Sequence, residues 1–158
     1  MIELCRGDLL RADAEALVNA VNCVGVMGRG IALQFRNAFP GNYKAYRAAC
    51  QRGDLRPGTM LIHEIGALSA PQYIVNFPTK DHWKGNSRVE YIESGLAALL
   101  EDVKRLGIRS IAIPPLGCGL GGLQWTQVRT LIESAFAGVP HVRVLLYESD
   151  DQGDESRS

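Results

Sequence analysis

Ile111-Ala-Ile-Pro-Pro-Leu-Gly-Cys-Gly-Leu-Gly-Gly122 is the stretch that decides how this chain folds. Its β-branched beginning, residues 111–113, predicts a buried strand that the proline pair ends. Four glycines among the last six residues predict a tight turn, and a helical pattern follows from about Thr126. A strand, a glycine-rich turn and a helix bring backbone N–H groups and a helix N-terminus to a position that suits an anion, usually a phosphate. An ordinary turn also collects glycines, so both interpretations are open at this point.

Strands and helices alternate along the rest of the chain. Hydrophobic patterns predict strands at residues 2–5, 17–22, 59–65, 73–77, 109–113 and 141–147. Helical spacing predicts helices at 31–39, 43–50, 89–106 and 126–137, with Pro40-Gly41 ending the first and Ser87-x-x-Glu90 capping the third. This alternation argues for an α/β fold, a three-layer α/β/α sandwich. The hairpin-like pair at 59–77 predicts a mixed central sheet.

The totals fit one compact domain. The chain has 158 residues, of which 1–147 are predicted to form the domain and the polar, acidic residues 148–158 a disordered tail. The 17 Lys and Arg residues balance 17 Asp and Glu residues, so polyanion binding requires a local patch. The four cysteines are scattered without metal-ligand spacing, so we expect no metal site. Without a signal peptide or a long apolar run, we expect a cytoplasmic protein with no membrane contact.

Three loops follow predicted strands and are candidates for one binding cleft. They are the glycine-rich loops at 25–30 and 117–122 and the loop that contains Lys80. Ligands of α/β sheets bind at the carboxyl ends of the strands, so convergence of these loops favours the phosphate interpretation.

Asn19 and Asn22 lie in an otherwise apolar run, where each unpaired amide would cost free energy. They either hydrogen-bond neighbouring backbone or face a ligand.

Four motifs resemble, in order and spacing, those of the macrodomain family, whose fold binds ADP-ribose. The motifs are Gly7-Asp8-Leu9, Leu17-Val-Asn-Ala-Val-Asn22, Gly28-Arg-Gly-Ile-Ala32 and Pro115-Leu-Gly-Cys-Gly-Leu-Gly-Gly122. A lysine directly after Asn76-Phe-Pro-Thr79 is similar to the branch that contains the terminal ADP-ribose protein glycohydrolase. Within that branch, the chain most resembles the antitoxin macrodomains that remove ADP-ribose from thymidine in DNA.

The resemblance implies a role for each matching residue. Asp8 would bind the adenine amino group, backbone of Gly117 to Gly121 the diphosphate, and Asn22 with the loop around Gly28 the distal ribose. Tyr147 could stack on adenine, although a strand tyrosine also packs simply against its neighbours. The complete predicted ligand-binding set is Asp8, Leu9, Asn19, Asn22, Gly28, Arg29, Gly30, Ile31, Thr79, Gly117, Cys118, Gly119, Leu120, Gly121 and Tyr147.

Lys80 is the predicted catalytic residue, because the resemblance implies that it lies beside the anomeric carbon. Neutral lysine could add to that carbon after ring opening and form a Schiff base, which requires a lowered pKa. Charged lysine could instead protonate or stabilise the departing base, and this is the role that we favour. The protein-directed relative carries an aspartate where this chain has Gly121, so a paired Lys–Asp mechanism is not expected here.

The segment 80–88 is a candidate DNA contact. It contains Lys80, Lys84 and Arg88 against Asp81, with His82 and Trp83 among them. Aromatic stacking combined with phosphate contacts grips single strands without base-specific readout, although a solvated charged face fits the same residues. The patch could extend over the basic side chains Arg29, Arg36, Lys44 and Arg47.

The predicted function is therefore a hydrolase of the N-glycosidic class. Its expected partners are ADP-ribosylated single-stranded DNA, ADP-ribose as product, and a cognate toxin, a DNA ADP-ribosyltransferase implied by resemblance alone, in a toxin–antitoxin and DNA-repair setting. No cofactor is expected. Two alternatives are hydrolysis of ADP-ribosyl esters on protein Asp or Glu, and a module that binds ADP-ribose without cleaving it. Lys80 argues against the binding module, and Gly121 in place of an acid argues for it.

Overall fold

The computed structural model describes residues 1–66 and 70–149. Its elements are six strands and four α-helices. The strands are β1 (Ile2–Cys5), β2 (Ala16–Val21), β3 (Leu61–Glu64), β4 (Tyr73–Pro78), β5 (Ser110–Ile113) and β6 (Arg143–Tyr147). The helices are α1 (Gly30–Ala38), α2 (Pro40–Gln51), α3 (Val89–Leu106) and α4 (Trp125–Phe136). Every strand and helix predicted from the sequence is present, with ends shifted by a few residues.

The strands form one mixed sheet in the order β1-β6-β5-β2-β4-β3. All neighbouring pairs are parallel except β3 and β4, which are antiparallel. The predicted mixed sheet is confirmed. Its antiparallel pair is the one formed by the two strands predicted within residues 59–77.

Alternate residues of the central strands face opposite layers of helices. Leu17 pairs in register with Ala112 and Ile74, and this row packs against α1 through Phe35. The residues of the opposite face pack against the apolar sides of α3 and α4. Because both faces are covered, the strands read as continuous apolar runs, and the predicted three-layer sandwich is confirmed.

One helix start and one helix cap differ from the predictions. Pro40-Gly41 does end α1, but Pro40 is also the first residue of α2, where its missing N–H costs nothing. The capping box at Ser87 does not form: Arg88 is the N-cap of α3 and makes no side-chain cap. The Ser87 hydroxyl is instead buried against the glycine-rich loop, as described below.

The predicted disordered tail falls mainly on residues 150–158, which lie outside the described residues. Within the described ranges, no helix has both the length and the apolar composition needed to cross a membrane.

Candidate functional site

The carboxyl ends of five parallel strands meet at one edge of the sheet, and the loops that follow them are joined by hydrogen bonds. The amide of Cys23, after β2, donates to the carbonyl of Asp81, after β4, at 3.1 Å. The ammonium of Lys80 donates to the carbonyl of Leu120, after β5, at 3.4 Å. The three loops expected to converge therefore do so, with Lys80 between them.

Lys80 is the first residue to leave the sheet beyond β4. The amide of Thr79 still donates to the carbonyl of Val21 at 2.9 Å, which anchors the backbone just before the lysine. The Lys80 Nζ lies 3.4 Å from two acceptors, the carbonyl oxygens of Trp83 and Leu120. Burial of the side chain, followed by repulsion from Arg29, lowers the pKa of Lys80 from its ordinary value. Lys80 is thus a partly desolvated cation that two carbonyl groups orient.

The two residues whose carbonyls contact the Lys80 ammonium have exposed apolar side chains. Trp83 is 43% exposed and Leu120 is 62% exposed, unusual values for residues of this size. The His82 ring stacks on Trp83 with centroids 5.8 Å apart, and the Lys84 ammonium lies 5.0 Å from the Trp83 ring. An aromatic surface with cations around it therefore lies beside the candidate catalytic group.

The glycine-rich loop 117–122 requires glycine for two reasons, positive φ angles and close packing against neighbouring side chains. Gly117 has φ +75° and Gly122 has φ +85°, values that other residues rarely adopt. A Cβ at Gly117 would also lie 2.7 Å from the Leu123 side chain. The loop is closed by the Leu123 amide, which donates to the Gly117 carbonyl at 2.9 Å. Cys118, Gly119 and Leu120 lie on the outer part of this turn, where a ligand could reach their backbone.

Gly121 is buried against Ser87. The Ser87 amide donates to the Gly121 carbonyl at 2.9 Å. A Cβ at residue 121 would lie 2.5 Å from the Ser87 Oγ and 3.1 Å from its Cβ. An aspartate at residue 121 would therefore require Ser87 to move. Sequence reasoning missed this contact because it assigned Ser87 to helix capping.

Asn22 builds the loop that follows β2. Its Oδ1 accepts hydrogen bonds from the Tyr46 hydroxyl at 2.6 Å and the Val24 amide at 3.1 Å, and its Nδ2 donates to the Val26 carbonyl at 2.8 Å. Of the two interpretations left open for Asn22, the structure shows the hydrogen bonds to neighbouring backbone, while its contact with ribose stays a prediction. No signal in the sequence identified Tyr46, which reaches Asn22 from α2.

The same loop ends at the N-terminus of α1. Gly28 and Arg29 are exposed just before the helix, and Gly30 and Ile31 form its first turn. The first N–H groups of the helix have no partner within the helix, so this end suits an anion.

Asn19 does not lie at the surface of the cleft. Its side chain is 0% exposed, and its Nδ2 faces the Oδ1 of Asn76 at 3.4 Å and the Met27 sulfur at 3.9 Å. Asn76 in turn exchanges hydrogen bonds with Asn42 at 2.8 and 3.1 Å. Asn19 is therefore held beside a buried amide network in this structure, and its contact with a ligand stays a prediction.

Asp8, which follows β1, and Tyr147, the last residue of β6, lie where the β1–β6 pair reaches the same edge of the sheet. Tyr147 is paired in register with Cys5. The pKa of its hydroxyl is raised, first by burial and then by the nearby Cys5 and Asp8 side chains. The exposed Asp8 carboxylate accepts a hydrogen bond from the Leu10 amide at 3.0 Å. Leu9 is buried, so only its backbone could contact a ligand.

Within residues 1–66 and 70–149, no three His, Cys, Asp or Glu side chains are grouped so that they could hold a metal ion.

Comparisons with known proteins agree with this geometry. A family model described as "Macro domain" matches residues 18–132. The DNA ADP-ribosyl glycohydrolase of Thermus aquaticus is 51% identical over 148 residues, which is 94% of this chain and 41% of that protein. The solved macrodomain of Mycobacterium tuberculosis DarG superposes with a TM-score of 0.93 at 50% identity, over 94% of this chain and 98% of that one.

A third relative comes from Thermosipho africanus. A DNA ADP-ribosyl transferase–DNA ADP-ribosyl glycohydrolase fusion protein of that organism is 36% identical over 83% of this chain and 38% of its own length. The structure of Thermosipho africanus DarTG in complex with ADP-ribose has a TM-score of 0.86 at 34% identity, over 92% of this chain and 41% of that one. The chain thus spans about two fifths of the length of the curated relatives it matches.

Proposed function

The chain belongs to the macrodomain family, and from this premise we propose that it hydrolyses the bond between ADP-ribose and thymidine in single-stranded DNA. The observation that carries the proposal is Lys80, a partly buried cation held between three loops at the ligand-binding edge of the sheet. The names of the relatives from Thermus aquaticus and Thermosipho africanus support the choice of a DNA-linked substrate.

ADP-ribose would lie along the edge of the sheet. We assign the adenine to the end with Asp8 and Tyr147, and the diphosphate to the backbone of 117–121 and the N-terminus of α1. The distal ribose would then lie beside the loop that Asn22 supports and reach Lys80. This orientation leaves the departing nucleobase next to the exposed Trp83 and Leu120 side chains, which are suited to an aromatic ring.

The proposed reaction adds water to the anomeric carbon as the bond to the imide nitrogen of thymine breaks. The electron pair of that bond leaves with the base, the nitrogen regains a proton, and free ADP-ribose is released. Positive charge develops on the ribose and negative charge on the base, as in other glycosidic cleavages. The Lys80 ammonium would stabilise the charge on the base, which the two thymine carbonyls already delocalise.

Two observations bear on the protonation state of Lys80. The carbonyl oxygens of Trp83 and Leu120 accept hydrogen bonds from Nζ, which favours the charged form. Burial and Arg29 lower the pKa, which favours a neutral amine able to add to the opened sugar. We assign the charged role, because Gly121 and Ser87 leave no space for the acid that would assist an amine nucleophile.

A protein partner is also proposed. The fusion of transferase and glycohydrolase in the relative from Thermosipho africanus supports a DNA ADP-ribosyltransferase as the cognate toxin. The macrodomain would then reverse the modification that the toxin makes.

The test offers two modified substrates to the same protein. Oligonucleotide ADP-ribosylated on thymidine and a protein ADP-ribosylated on Glu or Asp are incubated in parallel, and free ADP-ribose is quantified. We expect release from the oligonucleotide alone. Release mainly from the modified protein would assign the ester hydrolase instead, and binding of ADP-ribose without release from either substrate would assign the binding module.

A further inference from the structure

A second cavity opens on the outer side of the loop that follows β2. It has a volume of about 430 Å³ and is lined by residues 24–27 of the loop and by side chains of α1 and α2. Three of the lining side chains are charged or aromatic and could bind a ligand: Arg36, Tyr43 and Arg47. The proposed ADP-ribose cleft uses none of them.

The two arginines of this cavity converge on one aromatic ring. The guanidinium carbon of Arg36 lies 4.5 Å from the centroid of Tyr43, and that of Arg47 lies 5.9 Å from the same centroid. Contact with the ring restricts both long side chains, so less conformational entropy is lost when they bind a ligand. The cavity therefore presents two oriented guanidinium groups, which match the oxygens of a phosphate.

Among the described residues, no acidic side chain pairs with Arg36 or Arg47. Residues 16–53 contain five Lys and Arg residues and no Asp or Glu, in a chain whose charges balance overall. Of the six ion pairs among the described residues, one involves the end of this region, Arg52–Asp54, and none involves Arg36 or Arg47. Basic residues outside the region are thus often paired with acids, whereas Arg36 and Arg47 are available for an external anion.

The loop connects the cavity to the proposed catalytic cleft. Val24 and Val26 line the cavity, while Arg29, at the far end of the loop, lies close enough to Lys80 to lower its pKa. Asn22 and Tyr46 fix the loop between these two sides. The exposed side chains of Val24 and Val26 give the path between them an apolar surface.

We propose that this cavity binds a backbone phosphate of the single-stranded DNA that carries the modified thymidine, with Arg36 and Arg47 as the donors. This inference rests on the proposed function, because it assumes that the ligand in the cleft is attached to a DNA strand. The strand would leave the cleft over Val24 and Val26, whose apolar side chains suit sugars and bases, and reach the two guanidiniums. The ADP-ribose part of the substrate would not touch them.

The experiment measures binding of an unmodified single-stranded oligonucleotide by fluorescence anisotropy at several salt concentrations. It compares the wild-type chain with the double variant Arg36→Ala/Arg47→Ala. The control, Arg109→Ala, removes one positive charge just before β5, at the opposite ends of the strands from the proposed cleft. Thermal unfolding shows that all three proteins are folded.

For the double variant we expect at least about a tenfold loss of affinity, because charge-assisted hydrogen bonds are lost. The slope of log K against log salt should fall in magnitude by about 0.7, the contribution of one phosphate contact on a single strand. The control should change neither value, and free ADP-ribose should bind all three proteins equally.

A second measurement separates this inference from the proposed function. ADP-ribosylated thymidine mononucleotide and an ADP-ribosylated oligonucleotide are compared as substrates, and the double variant should raise KM for the oligonucleotide only. Hydrolysis of both substrates with unchanged KM, or equal DNA binding by variant and wild type, would overturn the inference and leave the proposed function intact. Arginine-dependent DNA binding without any hydrolysis would contradict the proposed function alone. If the double variant binds DNA normally but loses affinity for the toxin protein, the cavity is a protein interface and the inference fails.

Discussion

The Ser87 amide donates a 2.9 Å hydrogen bond to the Gly121 carbonyl, and the two residues are packed so closely that a Cβ on residue 121 would lie 2.5 Å from the Ser87 hydroxyl oxygen. This contact joins the end of the Lys80 loop to the glycine-rich loop. An acidic side chain at residue 121 would need the space that Ser87 fills.

Replacing Gly121 with Ala should therefore destabilise the protein. Overpacking of a buried site costs about 1–3 kcal/mol, and Ser87 is held by its own backbone hydrogen bond. Thermal unfolding measures the loss, and Ser87→Gly/Gly121→Ala should recover most of it. Gly138→Ala is the matched control, since a Cβ there meets no atom closer than 4.0 Å. Equal melting temperatures for Gly121→Ala and the wild type would contradict the packing argument.

Lys80→Ala should lower kcat on the modified oligonucleotide by roughly a hundredfold or more, the usual cost of removing a group that stabilises transition-state charge. Binding of free ADP-ribose, measured by calorimetry, should persist, because the backbone of the glycine-rich loop is unchanged. Lys80→Arg keeps the charge and should retain part of the activity. Lys104→Ala, in the last turn of α3, is the control. Wild-type turnover by Lys80→Ala would remove Lys80 from the mechanism.

Tyr46→Phe should loosen the loop between the two proposed binding sites. The variant removes a hydroxyl that donates to Asn22 at 2.6 Å, in a side chain that is fully buried. The loss should be about 1–2 kcal/mol in the free energy of unfolding, with a rise in KM for the modified substrate. Tyr73→Phe is the control, because the Tyr73 hydroxyl makes no hydrogen bond to the described residues. An unchanged KM would show that the loop does not need this support.

The sequence predicted the fold well because its strands are covered on both faces and its glycines and prolines mark the breaks. The apolar run 111–113 is short enough to be a strand, and the pattern at 89–106 is long enough to be a helix. The convergence of the three loops could be predicted because the strands that precede them are parallel, so their carboxyl ends lie at the same edge of the sheet.

The site was less predictable, because its supporting contacts join residues far apart in the chain. Tyr46 reaches Asn22 from another helix, and Ser87 faces Gly121 across 34 positions of sequence. The contact between Asn19 and Asn76 was missed for a similar reason: Asn76 lies on the neighbouring strand, and pairing between strands cannot be read from either segment by itself. The pattern marked polar residues that needed partners, but it did not identify the partners.

The pH dependence of hydrolysis should distinguish the two roles of Lys80. If the charged form acts, kcat/KM on the modified mononucleotide falls as the pH rises through the pKa of Lys80, which lies below its ordinary value of 10.5. Arg29 is one cause of that lowering, so Arg29→Gln should raise the pKa and move the alkaline decline to higher pH. Arg109→Gln should leave the profile where it is. Activity that increases with pH over the same range, and an increase that Arg29→Gln shifts to higher pH, would instead assign the neutral amine as a nucleophile.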